Sequence, residues 1–180
     1  GLHDGRPRPD ELRVQVEQEP LVCVVEIPKG SRNKYEYDEQ LGGIKLDRFV
    51  SASVVYPTDY GYLPDTLAPD GDPLDVLVCV SEPTFPGCLV PTRVVGLFKM
   101  SDEKGPDDHI LCVPCSDPGW NWVERVEDLP AQLRAEIGHF FSVYKDLDPD
   151  KHSQVDGWAG LEAALETIEE ARERFRSQPR

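Results

Sequence analysis

A chain of 180 residues with 34 Asp and Glu against 19 Lys and Arg carries a formal charge of −15 at pH 7, a balance that argues against nucleic-acid binding, where affinity comes from Lys and Arg displacing counterions. With 39% hydrophobic and 29% charged residues the chain can bury one core, which excludes wholesale disorder. Its longest apolar runs, Leu21 to Val25 and Val76 to Val80, fall far short of the roughly 20 residues of a membrane helix, so no membrane span is expected and divalent cations are the expected partners.

Residues 1 to 20 are polar, proline-bearing and without strong periodicity, and read as a mobile or weakly ordered head before a single domain over 21 to 180. From Leu21 to Pro114 the text is β-like. The runs Leu21–Ile27, Lys34–Tyr37, Ile44–Val50, Val76–Val80 and Val90–Phe98 alternate with Gly, Pro and Asp clusters, a spacing that suggests a small barrel or sandwich. After Asp128, read as an N-cap, Leu133, Ile137, Phe140, Phe141 and Tyr144 recur at helical spacing. A second helix is expected from near Asp156, with Trp158, Leu161, Leu165, Ile168 and Phe175 on one face. The fold class expected is therefore mainly β with flanking helices (α+β), a β-barrel followed by two helices. There is no apolar secretory stretch and no Asn-x-Ser/Thr acceptor, and an odd set of cysteines (Cys23, Cys79, Cys88, Cys112, Cys115) suits a reducing compartment, so a cytoplasmic location is expected.

The chemistry concentrates in two acidic loops. Tyr56-Pro-Thr-Asp-Tyr-Gly-Tyr-Leu-Pro-Asp-Thr-Leu-Ala-Pro-Asp-Gly-Asp-Pro-Leu-Asp75 sets Asp59, Asp65, Asp70, Asp72 and Asp75 in a stretch stiffened by proline, where such density of charge calls for a cation. It is not an EF-hand, because the twelfth position from Asp70 is Ser81 and not a bidentate Glu. What remains is a hard-oxygen site suited to Mg²⁺ or Mn²⁺, or else a solvated acidic turn. The second loop, Met100-Ser-Asp-Glu-Lys-Gly-Pro-Asp-Asp-His109, supplies Asp102, Asp107 and Asp108. If both loops open at one end of a barrel, their carboxylates converge on several metal ions, a geometry used in phosphoryl chemistry. Lys34, Arg48 and Lys145 are the cations placed to grip an anion, or are ordinary surface charges. Walker, Rossmann, nucleophile-elbow and HExxH motifs are all absent, and Cys112-Val-Pro-Cys115 has no companion pair at zinc spacing.

Asp70-Gly-Asp-Pro-Leu-Asp75 resembles the signature of the soluble family I inorganic pyrophosphatases. Further blocks agree in the family's order, from Val22 to Trp158: Val25-Glu-Ile-Pro-Lys-Gly-Ser-Arg-Asn-Lys-Tyr-Glu36, Asp47-Arg-Phe49, Tyr56-Pro-Thr-Asp-Tyr-Gly-Tyr62, Lys99-Met-Ser-Asp-Glu103 and His139-Phe-Phe-Ser-Val-Tyr-Lys-Asp146. The resemblance implies an OB-like five-stranded β-barrel with flanking helices. It also implies hydrolysis of pyrophosphate to two phosphates, Mg²⁺ as cofactor with several ions per site, and a homo-oligomer, commonly a hexamer. Carried over residue by residue, Asp70, Asp75 and Asp107 hold the tightest metals, Asp102 shares a further ion with Asp107, and Glu26 and Glu36 lie at the rim. Asp72 is the general base. Lys34, Arg48, Tyr56, Tyr60, Tyr144 and Lys145 match the phosphate-binding set, with Tyr60 and Tyr144 donating hydrogen bonds near the reaction.

One position departs from the family's pattern: His109 stands where a Lys is usual. Two readings are open for it. Protonated His109 contacts phosphate, so that substrate affinity falls as pH rises through its pKa, or the ring points into solvent. A catalytically impaired metal-binding scaffold of the same fold is the alternative function, and a nucleoside triphosphate hydrolase would need a base-stacking pocket for which the sequence offers no sign.

Overall fold

The computed structural model describes residues 19–179. The head expected over residues 1 to 20 thus falls outside the described residues up to residue 18, and Glu19 and Pro20 are exposed. In chain order the strands are β1 (Leu21–Ile27), β2 (Asn33–Asp38), β3 (Gly43–Phe49), β4 (Asp59–Leu63), β5 (Leu74–Val78), β6 (Leu89–Asp102), β7 (Gly105–Pro106), β8 (His109–Pro114) and β9 (Ser153–Ala159), with helices α1 (Ala131–Val143) and α2 (Leu161–Arg176).

Period-2 apolar residues make β1 a strand: Cys23, Val25 and Ile27 are wholly buried. It pairs antiparallel with β4 on one side and β6 on the other; β4 pairs antiparallel with β5, β5 parallel with β8, and β8 antiparallel with β6. These five strands close into a ring, the OB-like arrangement that the family resemblance implied. Closure leaves the ring's strands paired on both sides instead of presenting open edges. The hairpin β2–β3 stands apart as its own sheet, and β9 adds to β6.

The continuous apolar text of β8 follows from burial on both faces. Leu111 and Val113 join the cluster that contains Ile137, Phe140 and Phe141 of α1, whereas Ile110 and Cys112 join the cluster that contains Ala164, Ile168 and Ala171 of α2. The long strand β6 serves both layers by shifting register between Val94 and Gly96. A Cβ on Gly96 would stand 2.3 Å from Val126 Cγ2 and 2.9 Å from Ala159 O, so only glycine lets the turn before α1 press against the strand.

Three sequence expectations are corrected. Helix α1 starts at Ala131 behind Pro130, and Asp128 is not its cap: the Asp128 carboxylate accepts the Glu124 and Arg125 N–H groups, both at 3.0 Å, and so closes a preceding single 3-10 turn, Val126–Asp128. The second helix does not begin near Asp156. Residues Ser153–Ala159 form β9, in which Trp158 pairs opposite Phe98 and packs on its ring at 4.9 Å, and the helix starts after Gly160. Cross-strand pairing there overrides an apolar spacing that happens to continue the helical one. The stretch from Tyr56 to Asp75, expected as loop, contains β4 and the start of β5. Gly61 hides that strand from a propensity reading and also makes it possible, because a Cβ there would lie 1.9 Å from the Val24 carbonyl oxygen of β1.

That contact generates a prediction. Since the opposing atom is backbone and cannot swing aside, Gly61→Ala lowers stability by about 3 kcal/mol in urea unfolding. An unchanged midpoint would show that β1 and β4 do not approach as closely as described.

Candidate active site

A cleft of about 680 Å³ opens where the β2–β3 hairpin, the loop between β4 and β5, the β6–β7 turn and the end of α1 meet. Carboxylates reach it from every side: Glu26 from β1, Glu36 from β2, Asp70 and Asp72 from the loop, Asp75 from β5, Asp102 from the end of β6 and Asp107 from the segment before β8. Lys34, Tyr56, Tyr60, Tyr144 and Lys145 line the same space. Of the site residues carried over from the family, Arg48 and His109 do not open onto it; neither do Asp59 and Asp108 of the acidic loops, and the buried Asp59 carboxylate instead accepts the Lys29 and Thr84 N–H groups.

Local hydrogen bonding fixes the acidic loop. The Ala68 N–H donates to Asp72 O at 2.7 Å, Gly71 N–H to Ala68 O at 3.0 Å, and Asp72 N–H to Asp70 Oδ1 at 3.0 Å. Gly71 supplies the left-handed residue of this turn, with φ of +89°. The buried Thr66 hydroxyl accepts the Leu74 N–H at 3.0 Å and thereby ties the loop to the start of β5.

The floor of the cleft comes from sheet register. In the parallel pair, Val76 lies opposite Ile110, which sets Asp75 beside His109. His109 Nε2 is 3.4 Å from Asp107 Oδ2 and 3.6 Å from Asp75 Oδ2, and donor atoms of the three residues all lie within 4.8 Å of one another. The imidazole is 0% exposed, edge-on to Phe141 and Tyr60 at ring-centre distances of 4.9 and 5.5 Å. Neither ring nitrogen makes a hydrogen bond among the described residues. Both readings of His109 from the sequence are corrected: the side chain faces neither the cleft nor solvent, because aromatic rings and the two carboxylates enclose it.

Electrostatics follow from this enclosure. Burial holds the Asp75 carboxyl well above the ordinary range, against the pull of His109, and the charge of Asp107 pushes it further. Burial acts the same way on Asp107, but the neighbouring His109 outweighs it and holds Asp107 low. His109 itself is depressed by burial and raised by Asp107, Asp75 and Asp108, with a net rise. The Asp75 and Asp107 carboxylates, with donor atoms within 4.8 Å of each other and of a His109 nitrogen, bring oxygens close enough for one divalent cation to touch both. The hard-oxygen donors around them suit Mg²⁺ or Mn²⁺ chemistry.

Burial raises the phenols of Tyr56, Tyr60 and Tyr144 above their ordinary range, so all three remain hydrogen-bond donors at neutral pH. Tyr56 and Tyr144 pack on Phe140 at 4.5 and 5.3 Å, which sets their angle. The cations are restrained by acids: Lys34 lies 3.3 Å from Asp47, Lys145 lies 3.0 Å from Asp102 and 3.5 Å from Glu103, and Arg48 pairs with Asp148. Sequence reasoning gave no role to Glu103 or Asp148. The run Asp146-Leu-Asp-Pro-Asp150, directly after the helix, was the signal available. Lys104, which lines the cleft between Asp102 and Asp107, was also passed over.

A family profile described as inorganic pyrophosphatase matches residues 23–176. A protein named inorganic pyrophosphatase from Methanosarcina acetivorans is 55% identical over 152 residues, covering 84% of this chain and 90% of that one. The solved inorganic pyrophosphatase of Helicobacter pylori superposes with a TM-score of 0.86 at 37% identity, covering 88% of this chain and 95% of that one. That of Thermus thermophilus gives 0.84 at 45% identity, covering 87% and 91%.

Glu26 yields a pH prediction. Burial, aided by Glu36 and opposed by the Tyr37 N–H at 3.0 Å, raises its carboxyl from 4.5 to about 6. Between those values the folded chain binds more protons than the unfolded one, so this group's contribution to stability falls as pH rises from 4.5 through 6 and stays low above. In chelator, Glu26→Gln is therefore more stable than the parent above pH 6, by about 2 kcal/mol, and no more stable below pH 4.5. Parallel stability curves across that window would contradict the account.

Proposed function

The chain belongs to the inorganic pyrophosphatase family, and from that membership we propose how its residues share the hydrolysis of pyrophosphate. The reaction is metal-dependent, and water adds to one phosphorus as the bridging P–O bond breaks. Asp70, Asp75 and Asp107 hold the tightest cations, Asp102 and Asp107 share a further one, and Glu26 and Glu36 complete the rim. Mg²⁺ is the expected ion, with Mn²⁺ as a substitute; when bound it neutralises the crowded carboxylates and makes coordinated water more acidic.

Asp72 accepts the proton of the attacking water. It suits that task because it stands on the lip of the cleft, its backbone held by Asp70 and Ala68 while its side chain faces the open space. Lys34, Arg48 and Lys145 balance the charge that develops on the phosphates. Tyr56, Tyr60 and Tyr144, kept protonated by burial, orient phosphate oxygens. Restraint of the cations by Asp47, Asp148, Asp102 and Glu103 keeps long side chains near the position they occupy with substrate, which lowers the ordering cost of binding. His109 acts on the carboxylates and not on phosphate.

The observation that carries this reading is the convergence of Asp75 and Asp107 on one point at the base of a cleft whose rim bears Asp70 and Asp72. No observation favours the catalytically impaired scaffold, since every carboxylate carried over from the family opens onto one space. The same reading gives a homo-oligomer, a hexamer foremost. It also gives a cytoplasmic location, where five cysteines outside a disulfide framework are at home.

With Mg²⁺ at neutral pH the protein releases phosphate from pyrophosphate and chelator stops it. Asp72→Asn cuts kcat by about 10²- to 10⁴-fold, the range for loss of a positioned base. Turnover at the parent rate in Asp72→Asn would remove Asp72 as base, and no turnover by the parent protein with Mg²⁺ present would overturn the functional reading.

A further inference from the structure

The last turn of α2 reaches the acidic loop. The Leu67 N–H donates to Ala171 O at 2.9 Å, and Arg174 Nη1 donates to Leu67 O at 2.9 Å. Both backbone groups of one loop residue are thus taken by the helix. Phe175 and Gln178, just beyond, line the same cleft as Asp70 and Asp72.

Leu67 is where such a hold has most effect. Before it lies Asp65, a non-glycine residue in the left-handed region at φ of +59°, a conformation that persists only when its surroundings enforce it. After it comes the turn from Ala68 to Asp72, closed on itself. The remaining ties of residues 64–73 are local, through Thr66 to Leu63 and Leu74. Among the described residues, Leu67 makes the loop's hydrogen bonds to an element remote in sequence.

We propose that Arg174 is a positioning residue for divalent-cation binding: by clasping the Leu67 carbonyl it fixes the loop that presents Asp70 and Asp72 to the cleft, so the C-terminal helix is part of the active site's support. The inference rests on the metal-site reading above. The bond is charge-assisted. Arg176, two residues on, serves as the contrast: it pairs with Glu169 at 3.0 Å and Glu173 at 2.8 Å on the helix itself, with no hydrogen bond to the loop among the described residues.

Isothermal titration of Mg²⁺ alone into the full chain, without pyrophosphate, tests the clasp. Arg174→Ala and Arg174→Met, the second keeping an aliphatic stem in place of the donor, weaken Mg²⁺ binding by about threefold to tenfold, the scale of one charge-assisted hydrogen bond. Arg174→Lys recovers part of the loss, and Arg176→Ala binds as the parent does. Parent-like binding in both Arg174 variants overturns the proposal. So does an equal loss in Arg176→Ala, which would trace the effect to the helix as a whole, and so does failure of both Arg174 variants to fold. If the parent itself takes up no Mg²⁺, it is the metal-site reading that falls.

Discussion

Everything in this molecule is arranged around one costly juxtaposition: Asp75 and Asp107 crowd the same nitrogen of a buried imidazole, at 3.6 and 3.4 Å. Two carboxylates so placed cannot both ionise cheaply without a cation between them. Burial pushes Asp75 toward its neutral form while His109 favours the charged form of Asp107. A divalent ion resolves the conflict, and the free energy gained in doing so is also stability of the fold.

The barrel exists, in functional terms, to hold that juxtaposition. Parallel pairing of β5 with β8 brings Asp75 beside His109 from sequence positions 34 apart, and Glu26 of β1 and Asp102 of β6 line the same cleft. Above this floor the elements become progressively less regular, from strand to tight turn to clasped loop. The cleft's carboxylates span that gradient, with Asp75 and Asp107 on or beside strands and Asp70 and Asp72 on the loop.

Much of this was legible in the sequence, and what was hidden shares a cause. Strands with β-branched period-2 text, such as Leu21–Ile27, could be read directly, and the two acidic loops hold the cleft's Asp70, Asp72, Asp75, Asp102 and Asp107. Three features could not be read. β4 is masked by Gly61; β9 borrows its strand conformation from β6; and His109 becomes a buried partner of carboxylates only after β8 pairs with β5. Each depends on contacts between segments far apart in the chain, which local pattern does not encode. The roles of Asp148 and Glu103 were hidden for the same reason, being defined by whom they touch.

The central claim is that a divalent cation relieves the repulsion built into this floor, and thermal unfolding with Mg²⁺ against chelator tests it most directly when the parent is compared with Asp75→Asn. The account predicts that Mg²⁺ raises the parent's unfolding midpoint, that most of this gain vanishes in Asp75→Asn, and that in chelator the variant is at least as stable as the parent. Midpoints for the parent that are the same with Mg²⁺ and with chelator would contradict it.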